Sequence, residues 1–200
     1  MNNSLDFFTM GQYFLNLAIA SSEELIKSGN PYVTVTNNPS SYKEYQYTTR
    51  WADHNIGVPI LFNFYHGIEL MLKGTILHQG KSIIKEHKFS ELVEQIQTDE
   101  YTKILLDLVK SVTSKIDLTN PLAQFFKNNN ITSDQWYIAL KYPENNQQSL
   151  SHYDLKYGGE QASEFWQSIN KLSKQILKIS EMIYSSIPPQ ATEQIMPPES

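Results

Sequence analysis

The sequence predicts a mostly α fold, an antiparallel four- to five-helix bundle with a loop or small β-hairpin inserted after the first helix. Three observations carry that expectation. Apolar residues recur at threes and fours over several long segments, glycine and proline punctuate their ends, and strand-like composition is confined to an insertion at about residues 29–56.

From Leu5 to Lys27, the residues Phe7, Met10, Phe14, Leu17 and Leu25 fall on one side at helical spacing, and Gly29 with Pro31 closes the helix. Between Gly29 and Asn55 the composition turns to Tyr, Thr, Val, Asn and Ser. There Tyr32–Thr36 and Tyr42–Tyr47 flank the turn-like Asn37-Asn-Pro-Ser40, a pattern for a hairpin or long ordered loop. The second helix, about Val58 to Gln79, is apolar on nearly all sides, which suits burial on two faces, and Gly80 ends it. A short helix over Glu91–Ile96 leads to a longer one in which Tyr101, Ile104, Leu105, Leu108, Val112 and Ile116 share a face. Asn120 and Pro121 start a brief helix ending at Asn128-Asn-Asn130. Residues Ile131–Gly159, with a hinge at Gly158-Gly159, read as irregular. In the last helix Ala162, Phe165, Ile169, Leu172, Ile176, Ile179 and Ile183 form a seam suited to nearly antiparallel packing. Residues 188–200 read as a disordered tail, leaving 1–187 as one helical domain.

The 200 residues carry a formal charge of −5 and no cysteine, which excludes disulfides, thiolate metal sites and cysteine nucleophiles. Of the 16 basic residues, Arg50 alone is arginine, so a mechanism built on an arginine cluster does not fit. The acidic balance argues against avid non-specific binding to duplex nucleic acid. The first residues lack the pattern of a signal peptide, and the apolar window Ile60–Leu77 is broken by Asn63, His66, Glu69 and Lys73. A cytoplasmic protein without a membrane span is expected.

His66, Glu69 and Lys73 fall within a sector of about 60° on the second helix, with Asn63 one turn before them. They can serve as an acid–base or ligand-orienting cluster, or as a polar network that fixes helix register. The histidines show neither an i, i+4 pair nor HExxH, so no metal is expected. No glycine-rich phosphate loop and no G-x-S-x-G elbow occur, so no nucleotide cofactor or serine nucleophile is expected. Aromatics outside the long helices, among them Tyr42, Tyr45, Tyr47, Trp51, Trp136 and Tyr137, can stack on bases. Without an accompanying basic stripe they are expected to anchor loops.

The run Asn63-Phe-Tyr-His-Gly-Ile-Glu-Leu-Met-Leu-Lys-Gly-Thr-Ile-Leu-His-Gln-Gly80, followed by Glu86-His-Lys-Phe-Ser-Glu-Leu92, resembles HEPN domains (higher eukaryotes and prokaryotes nucleotide-binding). Glu69, Lys73, Gly80, His87, Phe89 and Leu92 match that family's helix-then-histidine pattern. The resemblance covers about Leu5 to Ser186 and leaves Gly29–Asn55 outside the common core. It implies an antiparallel bundle, commonly a homodimer, of a kind frequent in bacterial toxin–antitoxin and antiphage systems, with a nucleotidyltransferase antitoxin as one kind of protein partner. Many members are metal-independent ribonucleases with an Arg-x(4–6)-His signature near the start of the last long helix.

At the corresponding place this chain has His152, preceded by Asn145, Asn146 and Gln147 rather than a cation; Lys141 stands farther upstream, and Arg50 lies in another segment. The signature is incomplete. The expectation is therefore a noncatalytic HEPN-like module that binds RNA, a nucleotide or a protein partner, with Asn63, His66, Glu69, Lys73 and His87 as its polar cluster. One alternative is a divergent ribonuclease with His152 moving protons, Asn145 or Asn146 orienting phosphate and Lys141 as the cation. The other is a dimeric scaffold.

Overall fold

Residue 67 is glycine where two long helices cross, and that close approach organises the computed structural model, which describes residues 4–31, 41–83, 87–113, 121–141 and 162–186. Among these residues run α1 (Ser4–Ser28), α2 (Tyr42–Thr49), α3 (Asp53–His78), α4 (Phe89–Gln95), α5 (Glu100–Thr113), α6 (Pro121–Asn128), α7 (Ser133–Lys141) and α8 (Ala162–Ser185), with no strand. The chain is a mostly α helical bundle.

Helix α3 lies at its centre because its sequence is apolar all round: Ile60, Leu61, Phe64, Tyr65, Ile68, Met71, Leu72 and Ile76 are all buried. Helix α1 makes the most extensive contact with it, α8 packs on both, and α4 and α7 pack elsewhere on α3. The α8 seam falls inside as its spacing predicts, with Phe165, Ile169, Ile176, Ile179 and Ile183 buried.

Helix α1 is rotated from its expected orientation. Its buried residues are Ser4, Phe8, Gly11, Leu15, Ala18, Ser22 and Leu25, whereas Met10 and Leu17 are 46% and 52% exposed. The cause is the close approach to α3: a Cβ on Gly67 would lie 2.7 Å from Leu15 Cγ. Small residues line the contact, and the longer side chains of the neighbouring stripe turn outward.

Two segments expected to be non-helical are helices. Tyr42–Thr49 forms α2 instead of a hairpin strand, started by a capping box in which Ser41 Oγ accepts from the Glu44 N–H and the Glu44 carboxylate accepts from the Ser41 N–H. The rest of the expected hairpin, 32–40, lies outside the described residues. Ser133–Lys141 forms α7 within the stretch expected to be irregular, and Thr132 and Gln135 make the equivalent reciprocal bonds. The hinge at Gly158-Gly159 and the tail 188–200 are likewise outside the described residues.

Helix α3 starts at Asp53, earlier than expected, because side chains supply its first turn. Gly29 (φ 74°) and Asn30 (φ 50°) turn the chain sharply after α1. Asn30 then accepts from the Asp53 N–H at 2.7 Å and donates to Asp53 Oδ2 at 2.8 Å; Trp166 of α8 also donates to that oxygen, at 3.4 Å. This clasp joins the end of α1, the start of α3 and α8. Pro59 near the N-terminal end removes one intrahelical donor without ending α3.

Candidate functional site

The spacings of three and four between His66, Glu69 and Lys73 place them on one face of α3, as the sequence predicts. Across from them, α7 presents Tyr137 and Lys141, themselves four residues apart. His87 arrives from the segment before α4. Its placement follows from Asp134 at the start of α7, which accepts from the Phe89 N–H at 2.9 Å and the Ser90 hydroxyl at 3.2 Å and so ties α4 to α7.

All five groups converge on the Glu69 carboxylate, which is 1% exposed. Lys73 Nζ and His87 Nδ1 each lie 2.6 Å from Oε1. On the other oxygen, the Tyr137 hydroxyl donates to Oε2, Lys141 Nζ is 3.6 Å away, and His66 Nδ1 is 3.4 Å away. His66 Nδ1 also lies 2.6 Å from the Tyr137 hydroxyl. Because that hydroxyl has one proton and gives it to Glu69, His66 must donate to the tyrosine oxygen. A carboxylate can only accept, so His87 carries a proton on Nδ1, and in the neutral imidazole the other ring nitrogen is an acceptor.

Burial alone would raise the Glu69 pKa, but the bonds from His66, Lys73, Tyr137 and His87 outweigh it and hold the carboxyl well below the usual range. The same contact acts oppositely on Tyr137, whose hydroxyl is pushed above its ordinary value by burial and by the adjacent carboxylate. Burial lowers Lys141, partly opposed by attraction to Glu69. The Lys141 ammonium also sits 4.0 Å from the centroid of the Tyr137 ring.

Two ammonium groups thus face one carboxylate, an excess of one positive charge when both imidazoles are neutral. Access is uneven: the His87 side chain is 60% exposed and that of Lys141 20%. His66 stacks on the Phe62 ring, at 5.4 Å, and makes an edge-to-face contact with Phe14, at 4.5 Å. The arrangement can bind an anion, and it can present an oriented imidazole for proton transfer.

The remaining predicted positions divide clearly. Asn63 turns back along α3 and donates to the Pro59 carbonyl at 2.9 Å rather than to Glu69. His152, Asn145 and Asn146 lie outside the described residues. Lys141, assigned by sequence to their constellation, reaches Glu69. Tyr137, expected to be a loop anchor, is a member of the cluster. Among the described residues, no three His, Cys, Asp or Glu side chains form a potential metal site, and no helix is long and apolar enough to cross a membrane. A cavity of about 200 Å³ between α1, α3 and α8, lined in part by Phe8, Met71, Leu177 and Tyr184, shares no residue with the cluster.

A helical bundle with a carboxylate-centred, cation-rich cluster is the class that fold and site define. No protein-family model, curated protein or solved structure matches the chain.

Proposed function

We propose that this chain is a cytoplasmic, noncatalytic HEPN-like binding module whose Glu69-centred cluster receives a phosphate-bearing ligand, RNA or a nucleotide, in a bacterial defence or toxin–antitoxin setting. The observation that supports the reading is the excess of positive charge: Lys73 and Lys141 face one buried carboxylate, and an exposed imidazole stands beside them. Glu69 holds the donors in place, while Lys141 and His87 meet the ligand. The test is retention and cleavage of single-stranded RNA and tRNA by wild type, Lys141→Ala and His152→Ala. Wild type is expected to retain RNA uncut, and Lys141→Ala to bind about 3–10-fold more weakly with a salt slope smaller by about 1. Equal retention by Lys141→Ala would reject the assignment.

The oriented imidazole of His87 favours a second reading, a divergent metal-independent ribonuclease. Cleavage lost in His87→Ala or His152→Ala would establish that reading and identify its proton-transfer group. For the homodimer, support comes from α1, where Met10, Tyr13 and Leu17 form an exposed stripe beside Phe14, whose ring meets His66. Sedimentation at micromolar concentration is expected to give a dimer, and Tyr13→Glu with Leu17→Glu a monomer. A monomeric wild type would remove the homodimer from the proposal.

A further inference from the structure

Helix α2 departs from the composition of an ordinary solvent-facing helix. Tyr42 and Tyr47 are 73% and 69% exposed, and the sole arginine of the chain, Arg50, stacks its guanidinium 3.8 Å from the Tyr47 ring centroid. Helical geometry puts Tyr42, Lys43, Gln46, Tyr47 and Arg50 within an arc of about 140°. All five are exposed, while Thr49 points inward and is buried. The nearby acidic residue, Glu44, is engaged in the capping box, where its carboxylate accepts from the Ser41 N–H at 2.7 Å.

We propose that this face of α2 binds single-stranded nucleic acid, with bases stacked on Tyr42 and on the Tyr47–Arg50 pair and phosphates paired with Lys43 and Arg50. The chemistry of the arc supports that occupant. It offers two aromatic planes, two cations and one amide, with no carboxylate and no aliphatic side chain, on a chain whose net charge is −5. Flat rings and a stacked guanidinium match unpaired bases, and the cations complement the backbone. Five residues of helix separate the tyrosines by about 7.5 Å along the axis, close to two stacked base steps of about 3.4 Å. The sequence shows no basic stripe beside these tyrosines, a pattern that points to loop anchoring; the helix places Lys43 and Arg50 on their face.

None of these residues belongs to the Glu69 cluster, so the two surfaces can be tested separately. Fluorescence anisotropy of the full chain with labelled oligo(U) and oligo(dT) of about 12 nucleotides distinguishes RNA from DNA. The variants are Tyr42→Ala, Tyr47→Ala, Tyr47→Phe, Arg50→Ala and Lys141→Ala, each checked for unchanged helicity by circular dichroism. Loss of each tyrosine is expected to weaken binding by about 5–150-fold, whereas Tyr47→Phe, which keeps the ring, stays within about twofold of wild type. Weakening in the tyrosine variants supports this surface, whether or not Lys141→Ala also weakens binding through the cluster. Tyrosine variants that bind as wild type does while Lys141→Ala binds more weakly overturn the inference and leave the cluster reading standing. Wild type that binds neither oligomer also overturns it; loss of self-association in the tyrosine variants would then reassign the face to a second copy.

Discussion

Glu69→Gln is expected to destabilise the fold by about 3–5 kcal/mol, the usual cost of removing one partner from a buried, hydrogen-bonded charge network. For a chain of this size that corresponds to a drop in melting temperature of roughly 6–20 °C. The amide offers a donor where Tyr137 or the Lys73 and His87 pair requires an acceptor, and it leaves Lys73 and Lys141 without the carboxylate that compensates them. Urea unfolding at pH 7 measures the loss. A change below about 1 kcal/mol would mean that the cluster is solvated and exerts little control over the fold.

The pH dependence has a definite sign. Because the folded-state pKa of Glu69 is held below its unfolded value, its stabilisation is complete above about pH 4.3 and is lost as pH falls toward the folded value. Between the unfolded and the folded value it erodes by about 1.4 kcal/mol per pH unit. The stability gap between wild type and Glu69→Gln should therefore narrow between neutral pH and pH 3. A gap that widens on acidification would contradict the assigned charge state.

Gly67→Ala tests the other determinant of the architecture. The added methyl would lie 2.7 Å from Leu15 Cγ, 2.9 Å from Leu15 Cδ2 and 3.3 Å from the Gly11 carbonyl, so α1 and α3 must separate or Leu15 must leave its rotamer. The expected cost is about 1–3 kcal/mol. Leu15→Ala also destabilises alone by opening a void, but in the double variant it makes room for the new methyl, so the combined loss should fall short of the sum by at least about 0.5 kcal/mol. Strict additivity in denaturant unfolding would show that this contact does not set the distance between the helices.

The long helices were legible because periodicity reports burial directly, and the α8 seam from Phe165 to Ile183 is the clearest instance. On α1 the same signal misled: Met10 and Leu17 are as apolar as Leu15, and nothing local shows that the glycines at 11 and 67 will select the other face. The short helices α2 and α7 were hidden by weak apolar periodicity, yet Ser41–Glu44 and Thr132–Gln135 both have the spacing of a capping box and could have revealed them. At the cluster, His66, Glu69 and Lys73 were visible as neighbours on one helix. Tyr137 and Lys141 were not, because they reach Glu69 across about seventy residues of chain and no local pattern encodes that meeting.

The Asn30–Asp53 clasp has a consequence for how this protein can change. Because those two side chains join the ends of the excursion directly, a change of length between them leaves that junction in place. Doubling a loop costs only about 0.6 kcal/mol in closure entropy. The segment carrying α2 is thus a cassette on a fixed socket, and evolution or engineering can exchange the tyrosine-bearing face while leaving the Glu69 cluster in register.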